Sequence, residues 1–288
     1  MKSNRFTLIS GFMPPLCMSV MLIFEQLALR GGGVSALAFV LWQILPFLVP
    51  SVAMVLTGRM FGINVLPRIR IPHRRYMGFT LCISIAAALM AFLLNCFIAR
   101  ISGASYYQSV SYLPQLESSS LLLMIAAVVL PAVFEELFFR GVLMRALSRG
   151  GDITAVIISA LCFALCHGSL RNFAGPFAAG LIYGYITYAI GSVWPAVTAH
   201  LLNNAFNMTL GYATKAYEAL GLWPYFLLIA AALFLIFTAI SMTLLERLVE
   251  KGKIKRLSPV FSKAELLETV CSPGLWVLVI MFIIRACY

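Results

Sequence analysis

Long apolar runs, separated by short polar segments, follow one another along almost the whole chain. Most of them reach the ~20 residues that a helix needs to cross the hydrocarbon core of a bilayer. The runs are continuously apolar, whereas strands of a membrane barrel would alternate apolar and polar positions. The pattern therefore predicts an all-α fold, a polytopic transmembrane helical bundle of about 8–9 spans. The candidate spans are residues 11–29, 34–57, 77–99, 121–144, 153–168, 175–190, 194–212, 222–245 and 272–286.

The composition agrees with this pattern and excludes an ordinary soluble domain. Hydrophobic residues make up 62% of the 288-residue chain and charged residues 11%, and the mean hydropathy is +0.97. The formal net charge of +11 is then mainly a topology signal, because Lys and Arg orient membrane proteins. We expect a multi-pass protein of the cell membrane, with the lipid bilayer as its partner and no nucleic acid.

Lys and Arg are divided unevenly between the two sides that alternating spans define. Fifteen of the 21 lie on the side of the amino terminus, five lie on the opposite side, and Arg140 lies within a span. Most of the larger group lies in the segments 58–76, 145–152 and 246–271. Because basic segments remain in the cytoplasm, this distribution predicts a cytoplasmic amino terminus.

Two adjacent carboxylates and an arginine lie inside the fourth candidate span. An ionisable group within a membrane is costly, which makes Glu135, Glu136 and Arg140 candidates for a functional site. Arg140 is four residues after Glu136, so their side chains share a helix face and can pair as a structural clamp. Glu135 points about 100° away and is available for chemistry. In the alternative interpretation, all three form a structural ion-pair network.

Two histidines lie in the neighbouring spans. His200 and Asn204 are four residues apart and present an imidazole and a carboxamide on one helix face. At about 1.5 Å of rise per residue, Glu135 and His200 lie at nearly the same depth, but His167 does not. We therefore expect the fifth and sixth spans to form a short hairpin. Its tip, Gly168 to Gly175, would turn within the protein.

Together these residues resemble the motifs of the CPBP family, also called the ABI or type II CAAX-prenyl-endopeptidase family. The motifs are Glu135-Glu136-x-x-x-Arg140, Phe163-x-x-x-His167 and His200-x-x-x-Asn204, in this order. The resemblance covers about residues 121–210. It implies a four-helix catalytic core at 121–212, with amino-terminal transmembrane helices at 1–120. Carboxy-terminal helices with a basic cytoplasmic linker would occupy 213–288.

The resemblance implies an intramembrane endopeptidase whose cavity lies in the cytoplasmic half. Glu135 and His167 would activate a water molecule, and His200 and Asn204 would stabilise the oxyanion. No cofactor is needed in this mechanism. The substrate would be a membrane-associated peptide or protein, in some relatives lipidated, that enters from the membrane or the cytoplasm.

Two alternatives remain open at this stage. In the first, Glu135, His167 and His200 bind zinc and the enzyme is a metalloprotease. In the second, the chain is a non-catalytic immunity or regulatory protein, or a transporter that relays protons through its intramembrane Glu and His. The compact chain and short amino terminus favour a bacterial source. The oligomeric state is not determined by the sequence, although Gly180-x-x-x-Gly184 predicts close helix packing.

Overall fold

The computed structural model describes residues 2–30, 35–102, 121–257 and 263–287. Within these ranges all regular structure is helical, which confirms the all-α prediction. The predicted boundary at residue 120 adjoins 103–120, which lie outside the described residues. Four described segments are long and apolar enough to cross a membrane, namely Phe6–Leu27, Ala36–Phe61, Arg74–Ile101 and Trp223–Glu250. The predicted total of about 8–9 spans stays a prediction.

The helices are numbered in chain order. They are α1 (Lys2–Gly11), α2 (Met13–Arg30), α3 (Ala36–Phe61), α4 (Met77–Ile101), α5 (Leu121–Glu136), α6 (Met144–Leu147), α7 (Asp152–Cys166), α8 (Ala174–Ile190), α9 (Trp194–Ala219), α10 (Trp223–Glu250), α11 (Lys263–Val270) and α12 (Pro273–Cys287). A π-helical segment, Leu137–Leu143, joins α5 to α6.

Helices α7 and α8 form the short hairpin that the depth of His167 predicts. The 15 residues of α7 rise about 22 Å, less than the ~30 Å of a hydrocarbon core. At its tip Gly168 and Gly175 are buried. An added Cβ on Gly175 would lie 2.5 Å from the side-chain oxygen of Asn95 on α4. The two ends of the turn are therefore packed, whereas Leu170 and Arg171 between them are exposed, so the prediction that the whole tip turns within the protein is not confirmed.

The glycine pair of α8 lets the two arms of this hairpin approach closely. A Cβ on Gly180 would lie 3.1 Å from the Cβ of Ala160, and one on Gly184 would lie 3.0 Å from a methyl group of Val156. Both neighbours belong to α7. The prediction of close packing at Gly180-x-x-x-Gly184 is confirmed.

The basic segments between the helices meet at one end of the bundle. The Val193 amide donates to the Arg68 carbonyl at 2.9 Å, and the Lys255 amide donates to the Ala189 carbonyl at 3.1 Å. Arg145 donates to the carbonyl of Leu66. The alternating topology predicts that these segments share a side, and their contacts agree with it. We call this the basic end, and the end with the α7–α8 turn the turn end.

Candidate active site

The carboxylate of Glu136 joins three parts of the core. Its Oε1 lies 2.9 Å from Nη1 of Arg140 and 2.9 Å from Nδ1 of His200. Arg140 also donates from Nη2 to the Gly180 carbonyl at 3.3 Å. Glu136 is fully buried and Arg140 is 1% exposed. The ion pair expected from the four-residue spacing is therefore present, and its charges are compensated inside the bundle.

The ring of Phe163 contacts the guanidinium of Arg140 and both imidazoles of the core. The guanidinium carbon of Arg140 lies 4.3 Å from the ring centroid. The imidazoles of His167 and His200 approach the same ring edge-on, with centroid distances of 4.8 and 5.6 Å. Tyr183 stacks on the other side of His200 at 5.6 Å. Rigid aromatic packing thus fixes both histidines in an environment of low dielectric.

Glu135 turns away from this network and lines a cavity of about 240 Å³. His167 lines the same cavity. No hydrogen bond joins the Glu135 carboxylate to another of the described residues, in contrast to Glu136. The volume accommodates several water molecules at about 30 Å³ each. The two adjacent carboxylates therefore have different surroundings, one paired and one facing a cavity.

The tautomer of His167 is set by its own helix. Its Nδ1 lies 2.8 Å from the Phe163 carbonyl oxygen. A carbonyl only accepts hydrogen bonds, so Nδ1 carries the hydrogen. In the neutral ring Nε2 is then an acceptor and can receive a proton from water. His167 is thus equipped to act together with Glu135.

His200 and Asn204 do not line the cavity that contains Glu135 and His167. His200 is 4% exposed and bound to Glu136. The Asn204 amide donates to the Val128 carbonyl at 3.4 Å, a long hydrogen bond. The structure therefore places Glu135 and His167 on one cavity, whereas His200 and Asn204 have separate partners outside its lining. The role of His200 and Asn204 as oxyanion donors stays a prediction.

The alternative zinc ligands are not assembled. Among the described residues, no three His, Cys, Asp or Glu side chains form a group that could hold a metal ion. Nδ1 of His200 faces Glu136 and Nδ1 of His167 faces a backbone carbonyl, which leaves Nε2 of each ring as the possible ligand. The zinc alternative stays a prediction.

Several cavity residues come from parts of the chain that sequence reasoning did not single out. Asn207 lies on α9, seven residues after His200, so helical periodicity places it on the same face and could have identified it. Three further polar residues line the cavity, and no spacing pattern in the sequence indicates them. They are Asn95, Asn172 and Arg285. Arg285 also pairs with Glu25 at 2.9 Å. Helices α2, α3, α4 and α12 thus complete a cavity that the motifs alone do not define.

The cavity extends from Glu135 toward the turn end of the bundle. Ser169, Asn172 and Arg285 line it, and Arg285 lies against Gly168. If the amino terminus is cytoplasmic, this end is the outer one. The family resemblance instead led us to expect a cavity in the cytoplasmic half. The two expectations about sidedness are in conflict.

The comparison with known families covers the segment that holds these motifs. Residues 117–206 match the family model described as Type II CAAX prenyl endopeptidase Rce1-like. This match confirms the resemblance found in the motifs and supports an intramembrane CAAX-type endopeptidase in general terms. Neither a curated protein nor a solved structure matches the chain. The segment 117–206 is therefore similar to the Rce1-like family, and the apolar helices support a membrane protein.

Proposed function

We propose that the chain is an intramembrane endopeptidase that uses Glu135 and His167 to activate water, without a metal ion. The observation that carries this proposal is the difference between the two adjacent carboxylates. The carboxylate of Glu136 contacts Arg140 and His200, whereas Glu135 lines a cavity that His167 also lines. A carboxylate beside an imidazole acceptor in a dry site is suited to general-base catalysis.

In the proposed reaction, a water molecule is held between the Glu135 carboxylate and Nε2 of His167. Glu135 takes one proton as the water oxygen bonds to the peptide carbonyl carbon. The tetrahedral intermediate then collapses, the C–N bond breaks, and the proton passes from Glu135 to the leaving amine. The products are a carboxylic acid and an amine, which exchange a proton to give a carboxylate and an ammonium group, and no other reactant is consumed.

We propose that His200 stabilises the oxyanion from its second nitrogen. Because Nδ1–H points to Glu136, Nε2 becomes a donor only when the imidazole carries both protons. The adjacent Glu136 carboxylate accepts from Nδ1–H and orients the ring, as a buried Asp does for the histidine of a serine protease. Asn204 would contribute after leaving the long contact with Val128. A preorganised donor of this kind contributes about 2.7–4 kcal/mol to the transition state.

The deciding experiment compares Glu135→Gln with the wild type in hydrolysis of a peptide library, including lipidated peptides, by purified protein in liposomes. Loss of general-base catalysis is expected to slow hydrolysis about 10²–10⁴-fold. Glu246→Gln is the control, because Glu246 is an exposed carboxylate of the apolar helix α10 and does not line the cavity of Glu135. Full activity of Glu135→Gln would reject the base role.

Two further results distinguish the alternatives. Activity that persists in chelator, in protein without bound metal, is expected here, and loss with chelator followed by recovery with zinc would establish a metalloprotease. A biological effect retained by Glu135→Gln would favour an immunity, regulatory or transport role. The substrate and its cleavage site can be sought by comparing membrane proteomes of cells that carry wild type or Glu135→Gln.

A further inference from the structure

A second cavity, of about 410 Å³, lies at the basic end of the bundle. It shares no lining residue with the cavity of Glu135 and His167. Four cationic side chains from three separate segments surround it, Arg68, Arg145, Arg149 and Lys255. Asp152 is the carboxylate among the described residues of its lining, and it accepts a hydrogen bond from Tyr188. The cavity therefore has a positive excess.

The cations at the rim are held close to one another despite their repulsion. Arg145 donates to the Leu66 carbonyl, in the segment that carries Arg68. Partial burial lowers the pKa of Arg145, and the positive charge of Arg68 lowers that pKa further. Among the described residues no carboxylate forms an ion pair with Arg68, Arg145 or Lys255. Like charges brought together in this way are stabilised by an anion placed between them.

The buried part of the cavity wall carries two polar groups without partners. Thr187 is 6% exposed and Arg140 is 1% exposed, and both line the cavity. The Thr187 hydroxyl and Nε of Arg140 have no hydrogen-bond partner among the described residues. Buried donors are nearly always satisfied in folded proteins, by protein, water or ligand. An anion, or a water molecule that it holds, would satisfy both donors.

We propose that this cavity is a binding site for a phosphate-bearing anion, with the exposed cations as its rim and Thr187 and Arg140 at its base. Phosphate accepts several hydrogen bonds at once and suits a group of Arg side chains. The rim segments connect membrane helices, which places them at the membrane surface. Basic pockets between helices at that level recognise anionic lipid headgroups. The proposal does not depend on whether the chain is a protease.

The first test measures binding to the full chain in detergent by native mass spectrometry. The probes are dioctanoyl phosphatidylglycerol, dioctanoyl phosphatidylcholine and inorganic phosphate. The double variant Arg68→Gln/Lys255→Gln is expected to bind phosphatidylglycerol roughly 10- to 30-fold more weakly than the wild type. The matched control, Arg74→Gln/Lys251→Gln, removes the same charge from exposed positions of the same segments outside the cavity. The control is expected to bind like the wild type.

The outcomes separate the sources of the anion. Binding of phosphatidylglycerol that inorganic phosphate does not displace assigns the site to a lipid headgroup, and binding of inorganic phosphate itself assigns it to a soluble phosphate. Equal binding of phosphatidylcholine, or equal weakening in both double variants, would overturn the proposal. In either case the attraction would be a general property of the basic surface or of the detergent belt.

A second variant tests the base of the cavity. Thr187→Val keeps the shape of the side chain and removes the hydroxyl. Since this hydroxyl has no partner among the described residues, the ligand-free protein is expected to keep its Tm. The increase in Tm on adding phosphatidylglycerol is expected to shrink, because a donor to the anion is lost. A lower Tm without ligand and an unchanged increase with it would show a purely structural role and contradict the assignment.

Discussion

At the scale of single residues, the buried charge of Glu136 depends on its two partners, Arg140 and His200. One of its oxygens faces both Arg140 and His200 at 2.9 Å, while Oε2 has no hydrogen-bond partner among the described residues. A buried charge that loses its partner is far more costly than a pair that is removed together. The role of Arg140 as a clamp can therefore be tested by removing one or both charges.

Arg140→Met is expected to destabilise the protein by about 3–5 kcal/mol, because it leaves Glu136 buried beside His200 alone. The double variant Glu136→Gln/Arg140→Met should recover part of that loss, since Gln keeps an oxygen for His200 but carries no charge. Thermal unfolding in detergent, followed by size-exclusion chromatography, measures both. An Arg140→Met protein as stable as the wild type would contradict the clamp.

The sequence alone predicts the contact between Glu136 and Arg140, but it does not predict the contact between Glu136 and His200. Helical spacing alone places Arg140 beside Glu136 and turns Glu135 away from it. His200 lies 64 positions from Glu136 along the chain, and only the packing of α9 against α5 brings the two together. For the same reason, spacing could place His200 and Asn204 on one face but could not show that these two side chains lie outside the cavity lining.

At the scale of helices, the contact between α7 and α8 controls the position of Arg140. A Cβ on Gly180 would lie 3.0 Å from Nη2 of Arg140 and 3.2 Å from the Cα of Ala160. The backbone of α7 cannot move aside as a flexible side chain can. Gly180→Ala is therefore expected to cost about 1–3 kcal/mol through overpacking.

Gly78→Ala is the matched control for this substitution. Gly78 lies in the first turn of α4, where an added Cβ would meet only a Leu244 methyl group at 3.9 Å. There the same change is expected to stabilise the protein by about 0.4–1 kcal/mol by restricting the unfolded chain. The two unfolding free energies, measured in the same detergent, should have opposite signs relative to wild type. Equal effects would show that the α7–α8 contact tolerates a methyl group.

Helix positions followed from the length of the apolar runs, but two features of the helices depended on more than run length. The short α7 was predicted, because the depth of His167 required it. The π-helical segment Leu137–Leu143 was not predicted, since its hydrogen bonds differ from those of an α-helix without a matching change in hydrophobic pattern. Such segments often lie at functional sites, and this one contains Arg140. The cavity lining from α2, α3, α4 and α12 also required the assembled bundle.

At the scale of the whole molecule, the distribution of Lys and Arg and the expected cytoplasmic location of the Glu135 cavity predict opposite orientations in the membrane. The positive-inside rule predicts that the basic end is cytoplasmic, and the cavity of Glu135 extends to the turn end. The phosphate site proposed at the basic end would then face the inner leaflet, whose anionic lipids attract Lys and Arg. A peptide would reach Glu135 from the outer side or laterally from the membrane.

Sidedness can be decided by labelling single cysteines in intact cells, in a variant without native cysteines that retains wild-type function. Ser169→Cys introduces a thiol in the cavity lining at the turn end, and Lys253→Cys introduces one on the exposed surface of the basic end. With a cytoplasmic amino terminus, a membrane-impermeant maleimide is expected to modify residue 169 in intact cells and residue 253 only after permeabilisation. The opposite pattern would reverse the topology, because the two positions lie at opposite ends of the same rigid bundle. The cavity would then open to the cytoplasm, as the family resemblance implies, and the excess of Lys and Arg would lie outside.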